Sequence, residues 1–145
     1  MECPIPNSND CSGMSKYLFA YGTLQVGHAP PAMAPTVAKL RPVGEGSVPG
    51  LLYDFGDYPG VVLNAPKERK IFGTVFEVPS GQDAWRVLDD YEGFNPLRPE
   101  ASLFIRVLQS VQLKAGGTLE CWVYVYNQSV DGARLVESGV YGKRR

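Results

Sequence analysis

A single amphipathic helix among many short apolar segments is the feature that most restricts the fold of this chain. Between Ser80 and Gly93, apolar side chains recur at helical spacing, as in Trp85 and Leu88, and Gly93 is predicted to cap the C-terminal end of the helix. Much of the remaining sequence consists of short apolar runs separated by glycine and proline, which is typical of strands and turns. Because strands and helices do not alternate, the pattern argues against a doubly wound parallel sheet. It predicts a small mixed α+β domain with a curled or barrel-like sheet.

The predicted strands number five or six, and a second, shorter helix over 32–40 is weakened by Pro35. Turns are predicted between strands at Gly44–Gly46 and Asp57–Gly60. A hairpin is predicted to be closed by Lys114–Gly117. Gly73 interrupts a long strand and indicates a bulge or a close approach of another backbone or a ligand. The strand segments are 17–21, 48–55, 61–63, 71–78, 103–113 and 118–126.

Length and composition predict one domain in a reducing compartment. A chain of 145 residues and 15.9 kDa supports one core and hardly two. We expect a flexible N-terminal extension over 1–16, the domain over 17–127, and a C-terminal tail without predicted elements over 128–145. The three cysteines form no disulfide framework, and no apolar run resembles a signal peptide or a membrane span. The expected location is cytoplasmic.

Charge and motifs exclude several classes of function. A net charge of −1 provides no basic stripe for nucleic acid. Cys3, Cys11, Cys121 and His28 do not have the spacing of a usual zinc site, and Cys121 in an apolar strand is predicted to be a small buried side chain. Phosphate-loop, dinucleotide-binding and serine-nucleophile motifs are absent from the sequence. We therefore expect neither a cofactor nor a metal, and no nucleic-acid or membrane partner.

Glu92, at the end of the predicted helix, lies on or beside its apolar face. The negative end of the helix dipole, the charges of Asp89 and Asp90, and partial burial would each raise the pKa of its carboxyl group. A raised pKa suits a general acid or base near neutral pH. The alternative, which spacing alone favours, is an exposed helix-end carboxylate in an acidic patch.

A glycine turn follows the first predicted strand, in Tyr21-Gly22-Thr23-Leu24. Glycine at this point lets successive backbone N–H groups point together at an anionic or carbonyl oxygen. The alternative is an ordinary strand exit in which Thr23 caps the next turn.

Together, this turn and the segment from Leu88 to Phe94 resemble the γ-glutamyl cyclotransferase-like family, including its AIG2-like branch. The resemblance extends over about residues 17–127. The form with Thr23 is closer to the γ-glutamylamine cyclotransferase branch than the Tyr-Gly-Ser form of other members. Supporting segments are Leu51–Asp54, Tyr58–Gly60, Ile71–Phe76, Leu103–Arg106 and Trp122–Tyr126.

The resemblance implies a small mixed β-barrel flanked by short helices, with Glu92 facing a pocket formed by the turn. Glu92 would take a proton from the α-amine of a small γ-glutamyl substrate, and the amine would attack the γ-carbonyl. The products would be 5-oxoproline and a free amine, or an unmasked biosynthetic intermediate if the γ-glutamyl group is a cap.

The same resemblance implies that the backbone amides of Gly22, Thr23 and Leu24 bind the substrate. Tyr21, Tyr124 and Arg106 are further candidates for substrate binding. Core packing is the alternative for the two tyrosines, and an ion pair with Asp89 or Asp90 is the alternative for Arg106. The loop 95–100 is expected to form one wall of the pocket. A binding protein with the same pocket and no catalysis remains the alternative function, and the oligomeric state is left open.

Overall fold

The computed structural model describes residues 16–21, 34–55, 59–63, 69–79 and 82–140. These ranges contain eight strands, two α-helices and a 3₁₀ turn at Pro99–Ala101. The elements are β1 (Tyr17–Ala20), α1 (Ala34–Val37), β2 (Arg41–Pro49), β3 (Leu51–Asp54), β4 (Pro59–Val62), β5 (Lys70–Glu77), α2 (Gln82–Glu92), β6 (Phe104–Leu113), β7 (Thr118–Tyr126) and β8 (Arg134–Leu135).

Five of these strands close into a barrel in the order β1-β5-β2-β6-β7, and a small sheet of order β4-β3-β8 accompanies it. Neighbouring barrel strands are antiparallel except β1 and β7, which pair in parallel through Leu18 and Trp122. Closure removes the exposed strand edges that an open sheet of this size would carry. The predicted α+β fold with a small barrel is confirmed.

The strands of the barrel alternate between two buried surfaces. Side chains from all five strands meet in one apolar cluster, which is the barrel interior. Alternate residues of β1, β5, β6 and β7 form a second cluster with Leu88, so α2 covers the outer face of the barrel. Interior positions include Phe19, Val48, Ile71, Val75, Val111, Cys121 and Val123, and the outer cluster includes Leu18, Ala20, Phe76, Phe104 and Tyr124.

In the region 41–54, two predictions that involve glycines differ from the structure. The predicted turn at Gly44–Gly46 is wrong, because these residues continue β2 past an irregularity between Pro42 and Gly44. A Cβ atom on Gly46 would lie 2.7 Å from Val111 Cγ1, so the glycine permits β2 to cross β6 closely. The predicted single strand over 48–55 is instead divided at Gly50 into β2 and β3.

Gly73 allows the end of β1 to approach β5. A Cβ atom on Gly73 would lie 2.3 Å from the carbonyl oxygen of Ala20, so of the two interpretations of this glycine the structure shows a close backbone approach. The contact places Ala20, the last residue of β1, against the backbone of β5.

The segment after residue 127 packs against the small sheet and β5. β8 pairs with β3, and the backbone N–H of Phe72 donates to the carbonyl oxygen of Gly139 over 2.9 Å. α1 is only four residues long and α2 eleven, and neither of these described helices is long and apolar enough to cross a bilayer.

Candidate functional site

Glu92 is the last residue of α2, and a glycine cap ends the helix directly after it. Gly93 has φ 76°, the left-handed conformation in which glycine is favoured. The N–H of Phe94 donates to Asp89 O over 2.9 Å, and the N–H of Gly93 donates to Asp90 O over 3.2 Å. This is the hydrogen-bond pattern of a Schellman cap, so the predicted role of Gly93 is confirmed. The cap fixes the direction in which the last turn of α2 presents its side chains.

The Glu92 carboxyl group lies in a partly buried position that favours its neutral form. Burial, followed by the charge of Asp89, raises the pKa of Glu92 to about 8. No side chain or backbone group in the described ranges forms a hydrogen bond or ion pair with this carboxyl group. Asp90, in contrast, is exposed on another side of the helix. Of the acidic residues in this turn, Glu92 therefore has the environment of a working acid or base.

Tyr21, which directly follows β1, is buried and interacts electrostatically with Glu92. Its buried hydroxyl group donates to the carbonyl oxygen of Tyr124 over 2.6 Å. Burial, and after it the negative charge of Glu92, raises the pKa of Tyr21, while a backbone hydrogen bond from Val61 on β4 acts in the opposite direction. The charge of Glu92 at the end of α2 therefore acts on Tyr21, which packs with Val61 of the small sheet.

Asp89 forms the centre of a buried polar cluster beneath α2, which we call the Asp89 cluster (Asp89, Arg106 and Tyr124). Arg106 donates through Nε to Asp89 Oδ1 over 2.9 Å and through Nη2 to Oδ2 over 3.2 Å. The Tyr124 hydroxyl group donates to Asp89 Oδ1 over 2.6 Å. The two donors occupy both oxygens of the carboxylate, which satisfies a charge that would be costly to bury alone.

Aromatic rings hold the Arg106 guanidinium group in place. Its central carbon lies 4.6 Å from the ring centre of Trp85, 4.9 Å from that of Trp122 and 5.9 Å from that of Phe94. Cation–π contacts of this length stabilise the charge in a partly desolvated position. This ion pair with Asp89 is the alternative role that the sequence analysis gave for Arg106.

Sequence reasoning did not assign Asp89, Trp85 or Trp122 to the site. The signal that was available is the helical spacing of Asp89 and Glu92, which places the two carboxyl groups on one side of α2. Gly22, Thr23 and Leu24, predicted to bind substrate, lie outside the described residues.

The loop after Glu92 borders a cavity of about 410 Å³ on the Asp90 side of the helix end. Ser102 braces this loop: the Asn95 N–H donates to its Oγ, which donates to Arg98 O, both over 2.9 Å. The described residues that line the cavity are Asp90, Gly93, Phe94, Asn95, Arg98, Ala101 and Ser102. Glu92 is not among them, so the expectation that this loop walls the pocket of Glu92 stays a prediction.

Fold and site geometry together define a small barrel with a partly buried, ionisable carboxyl group at the end of α2. The sequence matches the family model described as "Gamma-glutamyl cyclotransferase, AIG2-like" over residues 18–143. The chain belongs to this family. No curated protein matches the sequence.

Solved structures with the same fold include several relatives of low sequence identity. The YtfP protein of Escherichia coli is 27% identical, with a TM-score of 0.59 over 88% of this chain and 97% of its own. An AIG2-like protein of Mus musculus is 20% identical, with a TM-score of 0.61 over 81% of each chain. A protein described as γ-glutamyl cyclotransferase is 14% identical, with a TM-score of 0.57 over 78% of this chain and 67% of its own. The last two likenesses show the fold alone.

Proposed function

We propose that this protein is a γ-glutamyl cyclotransferase that converts a small γ-glutamyl amide or γ-glutamylamine into 5-oxoproline and a free amine. Glu92 is the general acid and base of the reaction. The observation that carries this proposal is the partly buried Glu92 carboxyl group at the end of α2, since burial and the charge of Asp89 raise the pKa of Glu92 to about 8. Membership of the γ-glutamyl cyclotransferase, AIG2-like family supports the same chemistry.

The proton transfers of ring closure need one group that is both a base and an acid. The substrate α-amine reacts in its neutral form: its nitrogen attacks the γ-carbonyl carbon, and ionised Glu92 takes a proton from this nitrogen. A carbon–nitrogen bond forms and closes the five-membered ring. Glu92 returns the proton to the leaving nitrogen as its bond to the γ-carbon breaks. With a pKa of about 8, the carboxyl group has appreciable populations of both forms near neutral pH.

Binding energy supplies the remainder of the acceleration. Nucleophile and electrophile belong to one molecule, so the protein has to hold the amine against the carbonyl and exclude competing conformations. We assign the anionic substrate groups to the backbone amides of Gly22, Thr23 and Leu24, and one wall of the pocket to Tyr21. Arg106 and Tyr124 direct their hydrogen bonds to Asp89, and we place them behind Glu92.

The test is release of 5-oxoproline from a panel of γ-glutamyl amines and γ-glutamyl dipeptides. Glu92→Gln should lower the rate by about 10²–10⁴-fold, the range that a positioned general base supplies. Glu137→Gln is the matched control, because it makes the same chemical change at an exposed side chain outside the candidate site and should have the wild-type rate.

Full activity of Glu92→Gln would remove Glu92 from the mechanism. Saturable binding of γ-glutamyl compounds without any product from the wild-type protein would identify a non-catalytic binding protein instead. The preferred leaving group, an amine or an amino acid, is read from the same panel.

A further inference from the structure

The last turn of α2 is short of positive charge. It carries Asp89, Asp90 and Glu92 but no basic residue, although cations are the favoured residues at the negative end of a helix. The missing cation comes from β6, where Arg106 is stacked on aromatic rings and bonded to both oxygens of Asp89. The side chain of Asp89 is only 7% exposed, so this ion pair attaches the helix end to the barrel wall.

Tyr124 connects both halves of the site. Its side chain points outward from the barrel, and its hydroxyl group donates to Asp89. Its backbone carbonyl oxygen accepts the hydrogen bond of Tyr21, whose ring belongs to the interior cluster. One residue of β7 therefore positions the end of β1 through its backbone and the end of α2 through its side chain.

We propose that Asp89 is a positioning residue: clamped by Arg106 and Tyr124, it holds the last turn of α2 on the barrel and thereby fixes the position of the Glu92 carboxyl group. Asp89 lies about one helical turn before Glu92 on the same side of α2, so a movement of Asp89 moves Glu92 with it. The role rests on the proposed function of Glu92 as general acid and base. It adds a residue that touches no reacting atom.

The cluster also sets the charge that Glu92 experiences. The described ionisable groups that interact electrostatically with Glu92 are Asp89 on α2, Tyr124 on β7 and Tyr21 after β1, and Arg106 on β6 is bonded to Asp89. Loss of the Asp89 charge would leave the Arg106 cation unpaired in this group. Both changes favour ionised Glu92, so the pKa of Glu92 should fall when Asp89 is neutralised.

The decisive experiment compares Asp89→Asn with Asp90→Asn, the same chemical change at adjacent residues of which only the first is buried. We expect Asp89→Asn to lower kcat for 5-oxoproline release by about 10-fold or more, since small misplacements of catalytic groups have effects of this size. KM should change by less than about threefold, and the acidic limb of the pH profile should move down by about one pH unit. Asp90→Asn should remain within about twofold of wild type in both parameters.

Tyr124→Phe tests the same idea with a smaller perturbation. It removes the hydroxyl donor to Asp89 and retains the backbone carbonyl that accepts from Tyr21. We expect kcat to fall by about three- to tenfold with KM nearly unchanged. If Asp89→Asn does not fold, this variant decides, and a wild-type kcat would overturn the proposal.

A direct titration of the Glu92 carboxyl carbon by NMR separates this inference from the proposed function. The titration midpoint should fall in Asp89→Asn and stay in place in Asp90→Asn, whether or not the protein turns over any substrate. Equal midpoints in the two variants, or an effect of Asp89→Asn on KM alone, would overturn the positioning role. Absence of 5-oxoproline release by wild type, together with a shifted midpoint, would instead reject the proposed function and retain the positioning role.

Discussion

The interior of the barrel and its outer face under α2 are both buried, but their chemistry differs. The interior cluster consists of apolar side chains, with the Tyr21 hydroxyl group at its edge as the polar member. The outer face combines apolar residues such as Leu18 and Phe76 with the Asp89 cluster. Apolar burial stabilises a fold by about 25 cal/mol for each Å² removed from water, whereas a buried ion pair contributes little net stability. The interior thus contributes stability, whereas the outer face holds charges near Glu92 at some cost in stability.

The largest effect should come from breaking the ion pair of the outer face. Arg106→Met leaves the Asp89 charge buried without its cation, and the free energy of unfolding should fall by about 3–5 kcal/mol. Urea unfolding measures this change. The double variant Asp89→Asn, Arg106→Met should recover part of the loss, because no charge is then left unpaired. A double variant that is less stable than Arg106→Met would contradict this account of the cluster.

The barrel interior should respond with stability alone. Ile71 is fully buried, and Ile71→Ala removes packing that should cost about 2–5 kcal/mol of unfolding free energy. Well below the unfolding transition, the 5-oxoproline rate per folded molecule should equal that of wild type. A large loss of kcat without unfolding would show that the two regions are not separate in function.

The pH dependence of stability should reveal the cost of holding Glu92 partly buried. The pKa of Glu92 is raised from 4.5 to about 8 in the folded protein, so the folded state retains this proton to higher pH than the unfolded state. The contribution is favourable at low pH and is lost as the pH rises through about 8. Relative to wild type, Glu92→Gln should gain stability as the pH rises from about 4.5, and the gain should level off above about 8. Thermal unfolding of both proteins across the pH range measures the difference, and parallel curves would show that the carboxyl group is not perturbed.

The smallest effect should come from an exposed ion pair on the same barrel. Arg41 at the start of β2 pairs with Glu77 on β5, and its side chain is 71% exposed. Arg41→Met makes the same change as Arg106→Met, but the Glu77 carboxylate keeps its ion pair with the exposed Lys16, so the expected loss is below about 1 kcal/mol. This loss should also shrink at high salt. A cost similar to that of Arg106→Met would mean that burial does not distinguish the two pairs.

Local sequence patterns predicted those elements that are determined within a few residues. The hairpin closed by Lys114–Gly117 and the helix ended by Gly93 follow from turn and cap preferences, and both are present. The same preferences misled at Gly44–Gly46. There, glycine is needed because β6 passes too closely for a side chain, and that contact is invisible in the local sequence.

The candidate site divides in the same way. Glu92 was identified from helical spacing and from its resemblance to a family motif, both of which are local. The Asp89 cluster joins residues 17 and 35 positions apart, and its pairing depends on the register of β6 and β7 under α2. Sequence patterns left Arg106 with more than one role because any nearby carboxylate could be its partner.

By itself, the sequence determined the α+β class, the position of the helix and the carboxyl group at its end, because periodicity and cap residues act over short distances. Only the tertiary structure decided that the barrel closes, that Asp89 and not Asp90 is buried, and that Tyr124 connects β1 to α2. The physical reason is that burial and ion pairing depend on which strands become neighbours. That choice is made by packing over the whole barrel.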